Sequence, residues 1–108
     1  KAARELEKLG VSAEVIDPRT IKPLDRAAIA ESVKKTGRLL VADTGGVYSG
    51  ISAEITAAAC EDAFSFMKTA PARVGLPDCP TPASAELEKA FYPGAPEITA
   101  AVLKMIKP

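Results

Sequence analysis

The sequence contains no histidine, the side chain that most often acts as a general acid or base near neutral pH. It has only two cysteines, Cys60 and Cys79, which form neither a Cys-x-x-Cys pair nor a zinc-ligand set. The sequence therefore predicts no metal site. It also predicts two free thiols, as is usual in a reducing cytoplasm.

An excess of either charge and a long apolar run are lacking as well. Lysine plus arginine number 14, as do aspartate plus glutamate, so there is no electrostatic case for binding nucleic acid or an anionic membrane. No apolar run approaches the roughly 20 residues of a membrane span. The first residues form a charged, helix-like stretch rather than a signal peptide. These features predict a cytoplasmic protein with no nucleic-acid or membrane partner.

The length of 108 residues, with 47% apolar and 26% charged residues, is typical of one globular domain. The first half predicts a helix over Lys1–Leu9 that ends at Gly10, and a short strand over Ala13–Ile16. A second helix should begin after Asp25 as N-cap and end at Gly37.

The second half continues the alternation. The apolar run Leu39–Ala42 predicts a buried strand, Ile51–Met67 a long helix, and Ala72–Leu76 another strand. Ser84 should cap a short helix that packs through Leu87 and Phe91, and a last helix should have Pro96 in its first turn.

This alternation predicts an α/β domain over residues 1–108, a mostly parallel sheet with helices on both faces. Three strands are few for an open sheet, and the chain opens inside a helical pattern. We therefore expect a fragment whose complete domain has further N-terminal strands.

The loop Thr44–Gly50 carries three glycines between a strand and a helix. Three interpretations fit: a tight turn that needs positive φ, an anion site made of backbone N–H groups, or a subunit contact. Tyr48 favours the contact over the anion, because aromatic side chains anchor interfaces.

Polar side chains elsewhere offer weaker candidates. Asp43 and Asp17 each end a predicted strand, where they either form a carboxylate pair for acid–base or Mg²⁺ chemistry or cap a turn. Ser49 and Ser52 lack a matched base for nucleophilic catalysis. We therefore predict no catalytic residue.

The segment Pro77–Pro82 has three prolines in six residues. Such a loop loses little conformational entropy on binding, so it is either a rigid ridge for a partner or a plain connector.

Several motifs, in order along almost the whole chain, resemble one family. Residues 14–25 (EVIDPRTIKPLD) resemble a strand followed by "L-R-T-[IL]-x-P-[LW]-D", with Pro18 where leucine is common. Residues 49–55 (SGISAEI) resemble the helix start "G-x-[GA]-[SA]-E-I". Residues 70–74 (APARV) lead into Asp78-x-Pro80-x-Pro82, followed by Leu87-Glu88 and Pro93. Together they resemble the C-terminal, transketolase-like domain of the β subunit of thiamine-diphosphate-dependent 2-oxo acid dehydrogenases of the pyruvate, branched-chain and acetoin types.

The resemblance implies a three-layer α/β/α fold with two strands before Lys1. It also implies a non-catalytic role in assembly: contacts with the rest of the β subunit and with the α subunit of a heterotetramer, and in some members docking of the acyltransferase core. Thiamine diphosphate and Mg²⁺ would be bound elsewhere in the parent enzyme, which would pass an acyl group to lipoyl-lysine. This domain alone would be inactive, in the cytoplasm or, in a eukaryote, the mitochondrial matrix. The same domain in a transketolase, and a free-standing phosphate-binding module, are the alternatives.

The residues predicted to form the subunit or partner interface come from the glycine-rich loop, the proline-rich loop and the helix after it. They are Gly46, Tyr48, Asp78, Pro80, Pro82, Leu87 and Glu88.

Overall fold

The structure, a computed structural model, describes residues 1–107. Its helices are α1 (Ala2–Lys8), α2 (Arg26–Thr36), α3 (Ile51–Ala63), α4 (Ala85–Phe91) and α5 (Ala95–Ile106). A 3₁₀ turn, Phe64–Phe66, follows α3. Within the described residues two strands form the sheet, β1 (Leu40–Gly46) and β2 (Ala72–Leu76).

The two strands are parallel, with Leu40 opposite Ala72 and Gly46 opposite Leu76. The pairing is irregular between Ala42 and Gly46. Helix α3 connects the strands and packs on them together with α2, while α5 contacts both strands and has α1 against it. The parallel sheet with helices is the predicted α/β architecture.

The predicted helix Ile51–Met67 is too long, because α3 ends at Ala63 and the 3₁₀ turn follows it.

The starts of α2, α4 and α5 and the end of α2 follow the predicted signals. The Asp25 carboxylate accepts a hydrogen bond from the Ala28 N–H at 3.1 Å, and Gly37 ends α2 with φ of 77°. The Ser84 hydroxyl accepts from the Leu87 N–H at 3.2 Å at the start of α4.

Helix α5 has Pro96 in its first turn. The Glu97 carboxylate accepts a hydrogen bond from the Gly94 N–H at 2.7 Å, which lowers the pKa of Glu97. These side chains satisfy N–H groups that a helix start leaves free.

The core forms where α2 and α3 meet the sheet. One buried cluster contains Ile29, Val41, Ile55 and Ala59, and Leu24 packs against it. A second cluster, Ala30 with Val33 and Ala63, is joined to the first by Leu39 and Met67. The small side chains on α3 allow its backbone to approach α2 and β1 closely.

A charged clamp joins α2 to α3 at the surface. The Arg26 guanidinium donates to both Asp62 oxygens, at 2.8 and 2.9 Å, and to Glu61 at 2.9 Å. It also donates to the Ala58 carbonyl at 3.4 Å. These hydrogen bonds lower the pKa of Asp62 and raise that of Arg26.

The predicted strand Ala13–Ile16 is wrong for the chain as described. All residues from Ser12 to Asp17 are exposed and have no regular secondary structure. Val15 is 75% exposed. A strand needs a hydrogen-bonded neighbour, and neither β1 nor β2 lies beside this segment.

The predicted packing of α4 through Leu87 is also wrong. Leu87 is 61% exposed, whereas Phe91, one turn later, is 8% exposed. The apolar pattern of this short helix could not decide which of the two side chains faces the domain. In α1, Leu6 is buried, whereas Leu9, the residue after the helix, is 59% exposed.

We expect Phe91→Ala to lower the free energy of unfolding by about 3 kcal/mol, because it deletes a buried aromatic side chain. Leu87→Ala, its control on the same helix, should change it by less than about 0.5 kcal/mol. Urea unfolding followed by circular dichroism measures both. Equal losses would show that Leu87 packs onto this chain after all.

The clamp predicts a pH dependence of stability. Since the pKa of folded Asp62 lies below its unfolded value, the unfolded chain binds more protons in acid. The stabilisation is complete above the unfolded pKa of about 3.9 and disappears as the pH falls through the folded pKa. We therefore expect Arg26→Gln to lose less stability than wild type between about pH 5 and pH 3. The control is Arg4→Gln, at an exposed arginine outside the ion pairs found in residues 1–107. If stability falls with pH equally in all three proteins, the clamp does not contribute to the pH dependence.

Candidate subunit-interface site

The carboxyl ends of β1 and β2 meet at one edge of the sheet, because the strands are parallel. A shallow cleft of about 440 Å³ lies at this edge, and we call it the carboxyl-edge cleft. Its lining comes from the end of β1, the loop after each strand, and α4: Gly46, Tyr48, Leu76, Pro77, Asp78, Cys79, Pro80, Thr81 and Phe91.

The loop after β1 is held against β2 from two sides. The Val47 N–H donates to the Leu76 carbonyl at 3.1 Å, and Arg73 Nη1 donates to the Val47 carbonyl at 2.6 Å. With Val47 fixed in this way, the next residue, Tyr48, extends outward and is 76% exposed. The loop therefore presents an aromatic ring at the mouth of the cleft.

Two of the three glycines of the predicted loop, Gly45 and Gly46, lie in β1. None of the three has positive φ, which corrects the tight-turn prediction, and Gly50 instead permits a close backbone approach. The residue with positive φ in the loop is Ser49, at 55°, while the positive-φ glycines are Gly10 and Gly37. A Cβ at Gly50 would collide with the Gly46 carbonyl oxygen. One at Gly75 would lie 2.8 Å from the Gly45 carbonyl oxygen. The backbone fills the space beside these glycines.

The proline-rich loop forms the opposite wall. The Cys79 N–H donates to the Pro77 carbonyl at 2.8 Å in a tight turn, which places Asp78 at the exposed corner. Phe91 reaches the cleft from α4, and its ring meets Tyr92 edge-on at 5.3 Å.

Four of the predicted interface residues lie together here, namely Gly46, Tyr48, Asp78 and Pro80. Pro82, Leu87 and Glu88 do not line the cleft. They follow it along the loop and α4, where Leu87 and Glu88 are exposed. The predicted set lacked five lining residues, namely Leu76, Pro77, Cys79, Thr81 and Phe91. For Phe91 the available signal was its apolar i, i+4 relation to Leu87.

The other candidates do not form a reactive site. Asp17 caps a turn by accepting from the Arg19 N–H at 3.1 Å. No group of three or more His, Cys, Asp or Glu side chains lies close enough to hold a metal ion within residues 1–107. Ser52 is 1% exposed, inside α3. No helix in residues 1–107 is long and apolar enough to cross a membrane.

Residues 1–98 match the family model described as transketolase, C-terminal domain. The chain belongs to this family. It is 43% identical over 101 residues to the β-1 subunit of the mitochondrial pyruvate dehydrogenase E1 component of Arabidopsis thaliana, with 94% of this chain and 28% of that protein covered. The corresponding β subunit of Rhizobium meliloti is 40% identical over 102 residues, covering 94% of this chain and 22% of that protein.

The β subunit of acetoin:2,6-dichlorophenolindophenol oxidoreductase from Cupriavidus necator is 39% identical over 107 residues, covering 99% of this chain and 32% of that protein. A solved split-gene transketolase, described as an inactive β4 tetramer, superposes with a TM-score of 0.74 at 31% identity, covering 96% of this chain and 33% of that one. The resemblance and the fold class predicted from the motifs are confirmed. The chain spans about a fifth to a third of the length of these relatives.

Gly50→Ala tests the close approach at the glycine-rich loop. Gly50 and Gly94 are both N-cap glycines, of α3 and α5, but a Cβ at Gly94 would have no neighbour closer than 3.7 Å. The cost of losing an N-cap glycine is common to both variants, so their difference reports the collision with Gly46. We expect Gly50→Ala to be about 1–3 kcal/mol less stable than Gly94→Ala in urea unfolding. Equal stabilities would contradict the predicted collision.

Proposed function

We propose that this chain is a non-catalytic assembly domain of the β subunit of a 2-oxo acid dehydrogenase decarboxylase component. The parent enzyme would decarboxylate a 2-oxo acid with thiamine diphosphate and Mg²⁺ and transfer the acyl group to lipoyl-lysine. The chain's own role is to hold subunits together, and the chemistry belongs to residues outside it. Identities of 39–43% with β subunits, across nearly the whole chain, support this assignment over a transketolase.

The observation that carries the proposal is the irregular, exposed segment from Ser12 to Asp17. None of its backbone N–H or C=O groups hydrogen-bonds to another backbone group of residues 1–107. Its apolar residues Val15 and Ile16 are exposed, at 75% and 37%. A strand-like sequence with free backbone groups and exposed apolar side chains is suited to pair with a strand from another segment. We assign that strand to the rest of the β subunit.

An exposed ion pair connects this segment with α2. The Lys35 ammonium lies 3.1 Å from the Glu14 carboxylate. Such a pair in solvent contributes at most about 1 kcal/mol, so it does not by itself hold the segment in place.

A second contact surface is the carboxyl-edge cleft with the adjoining α4. Tyr48, Leu87 and Tyr92 are exposed by 76%, 61% and 41%. Large exposed apolar and aromatic side chains near one another are typical of protein interfaces. We assign Gly46, Tyr48, Asp78 and Pro80 of the cleft, and Pro82, Leu87 and Glu88 beside it, to the contact with the α subunit.

The proposal extends to location and to the larger complex. Such a component would work in the cytoplasm or, in a eukaryote, in the mitochondrial matrix, and it would dock on the acyltransferase core in some complexes. Residues 44–50, which are the end of β1 and the loop after it, give no support to a phosphate site. The Val47 N–H is already bonded to the Leu76 carbonyl, and the three glycines lack positive φ.

A chimera tests the assembly role. In the Rhizobium meliloti β subunit, the aligned 102-residue segment is replaced by this chain, and the product is co-expressed with that enzyme's α subunit. We expect a heterotetramer on size-exclusion chromatography with multi-angle light scattering, and pyruvate decarboxylation that needs thiamine diphosphate. The 108-residue chain alone should have no such activity.

The matched control places the aligned segment of the Arabidopsis thaliana relative between the same junctions. If this control assembles with the α subunit and the chimera does not, the proposal is wrong. Two variants of the chimera, Val15→Asp and Glu14→Gln, then test whether the segment Ser12–Asp17 pairs as a strand. Val15→Asp should prevent folding of the chimeric β subunit, and Glu14→Gln should leave it soluble.

A further inference from the structure

We infer that the carboxyl-edge cleft receives a cationic side chain, lysine or arginine, from the partner subunit. This inference rests on the proposed assembly function and adds the chemistry of the contact. It concerns Asp78, Tyr48 and the apolar wall between them.

Asp78 supplies an unpaired negative charge. Its carboxylate is exposed at the corner of the proline-rich turn and belongs to none of the ion pairs or side-chain hydrogen bonds found in residues 1–107. Asp78 is the one Asp, Glu, Lys or Arg residue among those that line the cleft. An approaching cation would therefore meet a carboxylate without a competing partner.

The nearest basic side chain along the strand is already engaged. Arg73 lies on β2 and donates to the Val47 carbonyl at 2.6 Å, outside the lining of the cleft. On the other side, α4 carries Glu86 and Glu88 against one basic residue, Lys89. Arg73 keeps its positive charge, because a carbonyl oxygen does not neutralise it. Glu86 and Glu88 are therefore balanced by Lys89 and Arg73, and Asp78 supplies the charge that distinguishes the cleft.

The aromatic and apolar walls of the cleft also suit a lysine or arginine side chain. Tyr48 presents an exposed ring, whose face attracts a cation. Pro77, Pro80 and Phe91 offer apolar surface for the methylene groups of a lysine or arginine. A carboxylate, an aromatic face and an apolar wall in one small cleft favour a cationic side chain over an acidic or purely apolar one.

The test uses the chimeric β subunit and its α subunit, with Asp78→Asn compared with Glu86→Gln. Both variants remove one negative charge from the same region, but only Asp78 lines the cleft. We expect Asp78→Asn to weaken α-subunit binding by at least about fivefold and to reduce its salt dependence, with Glu86→Gln close to wild type. Tyr48→Leu should also weaken binding, and Tyr48→Phe, which keeps the ring, should not.

Cys79 reports on the cleft without any substitution. It is exposed and lines the cleft, and half-buried Cys60 on α3 serves as the internal reference. Assembly should remove most of the reactivity of Cys79 toward N-ethylmaleimide, measured by peptide mass spectrometry, and leave that of Cys60 unchanged. An equally reactive Cys79 in the assembled enzyme overturns the inference whether or not the variants fold.

Carbodiimide cross-linking identifies the cation. A bond from Asp78 to a lysine of the α subunit supports lysine, while a charge effect without a cross-link supports arginine. A cross-link to a second β subunit overturns the assignment of the partner.

The outcomes separate this inference from the assembly function. If wild type assembles but Asp78→Asn has no effect, or Glu86→Gln weakens binding equally, the inference fails and the assembly function stands. If the wild-type chimera does not assemble although its control does, both fail.

Discussion

Parallel pairing of β1 with β2 is the constraint on which the other elements depend. Strands that run in the same direction cannot be joined by a tight turn, so the connection must cross the sheet, and here α3 makes that crossing. The same pairing brings both carboxyl ends to one edge. Residues about 30 positions apart along the chain, such as Tyr48 and Asp78, therefore border one cleft.

Close backbone approach is the second constraint. At the end of β1 the chain turns back so tightly that carbonyl groups of Gly45 and Gly46 lie against Gly75 and Gly50. Arg73 and Leu76 then hold Val47 from the neighbouring strand. The result is a loop whose shape is set by β2 and whose outward side chain, Tyr48, is available for contact.

The charged clamp and the segment Ser12–Asp17 differ in where their polar groups find hydrogen-bond partners. Arg26 joins two helices through hydrogen bonds to Glu61, Asp62 and the Ala58 carbonyl, so its guanidinium is paired within the domain. The backbone from Ser12 to Asp17 is left to solvent. Under the proposed function, that difference separates groups that stabilise this domain from groups that join it to other parts of the enzyme.

Local signals in the sequence determined both limits of α2 and the start of α4, because capping acts over three or four residues. Asp25, Gly37 and Ser84 act where the pattern predicted. The order of strands and helices, and the family motifs, were likewise readable from neighbouring residues. The tertiary structure alone decided which apolar side chain of α4 is buried, that Gly50 permits a close backbone approach, and that Ala13–Ile16 is unpaired. It also decided that Tyr48, Asp78 and Phe91 share a cleft. Each of these outcomes depends on atoms distant along the chain, whose positions are fixed only when the strands pair and the helices pack.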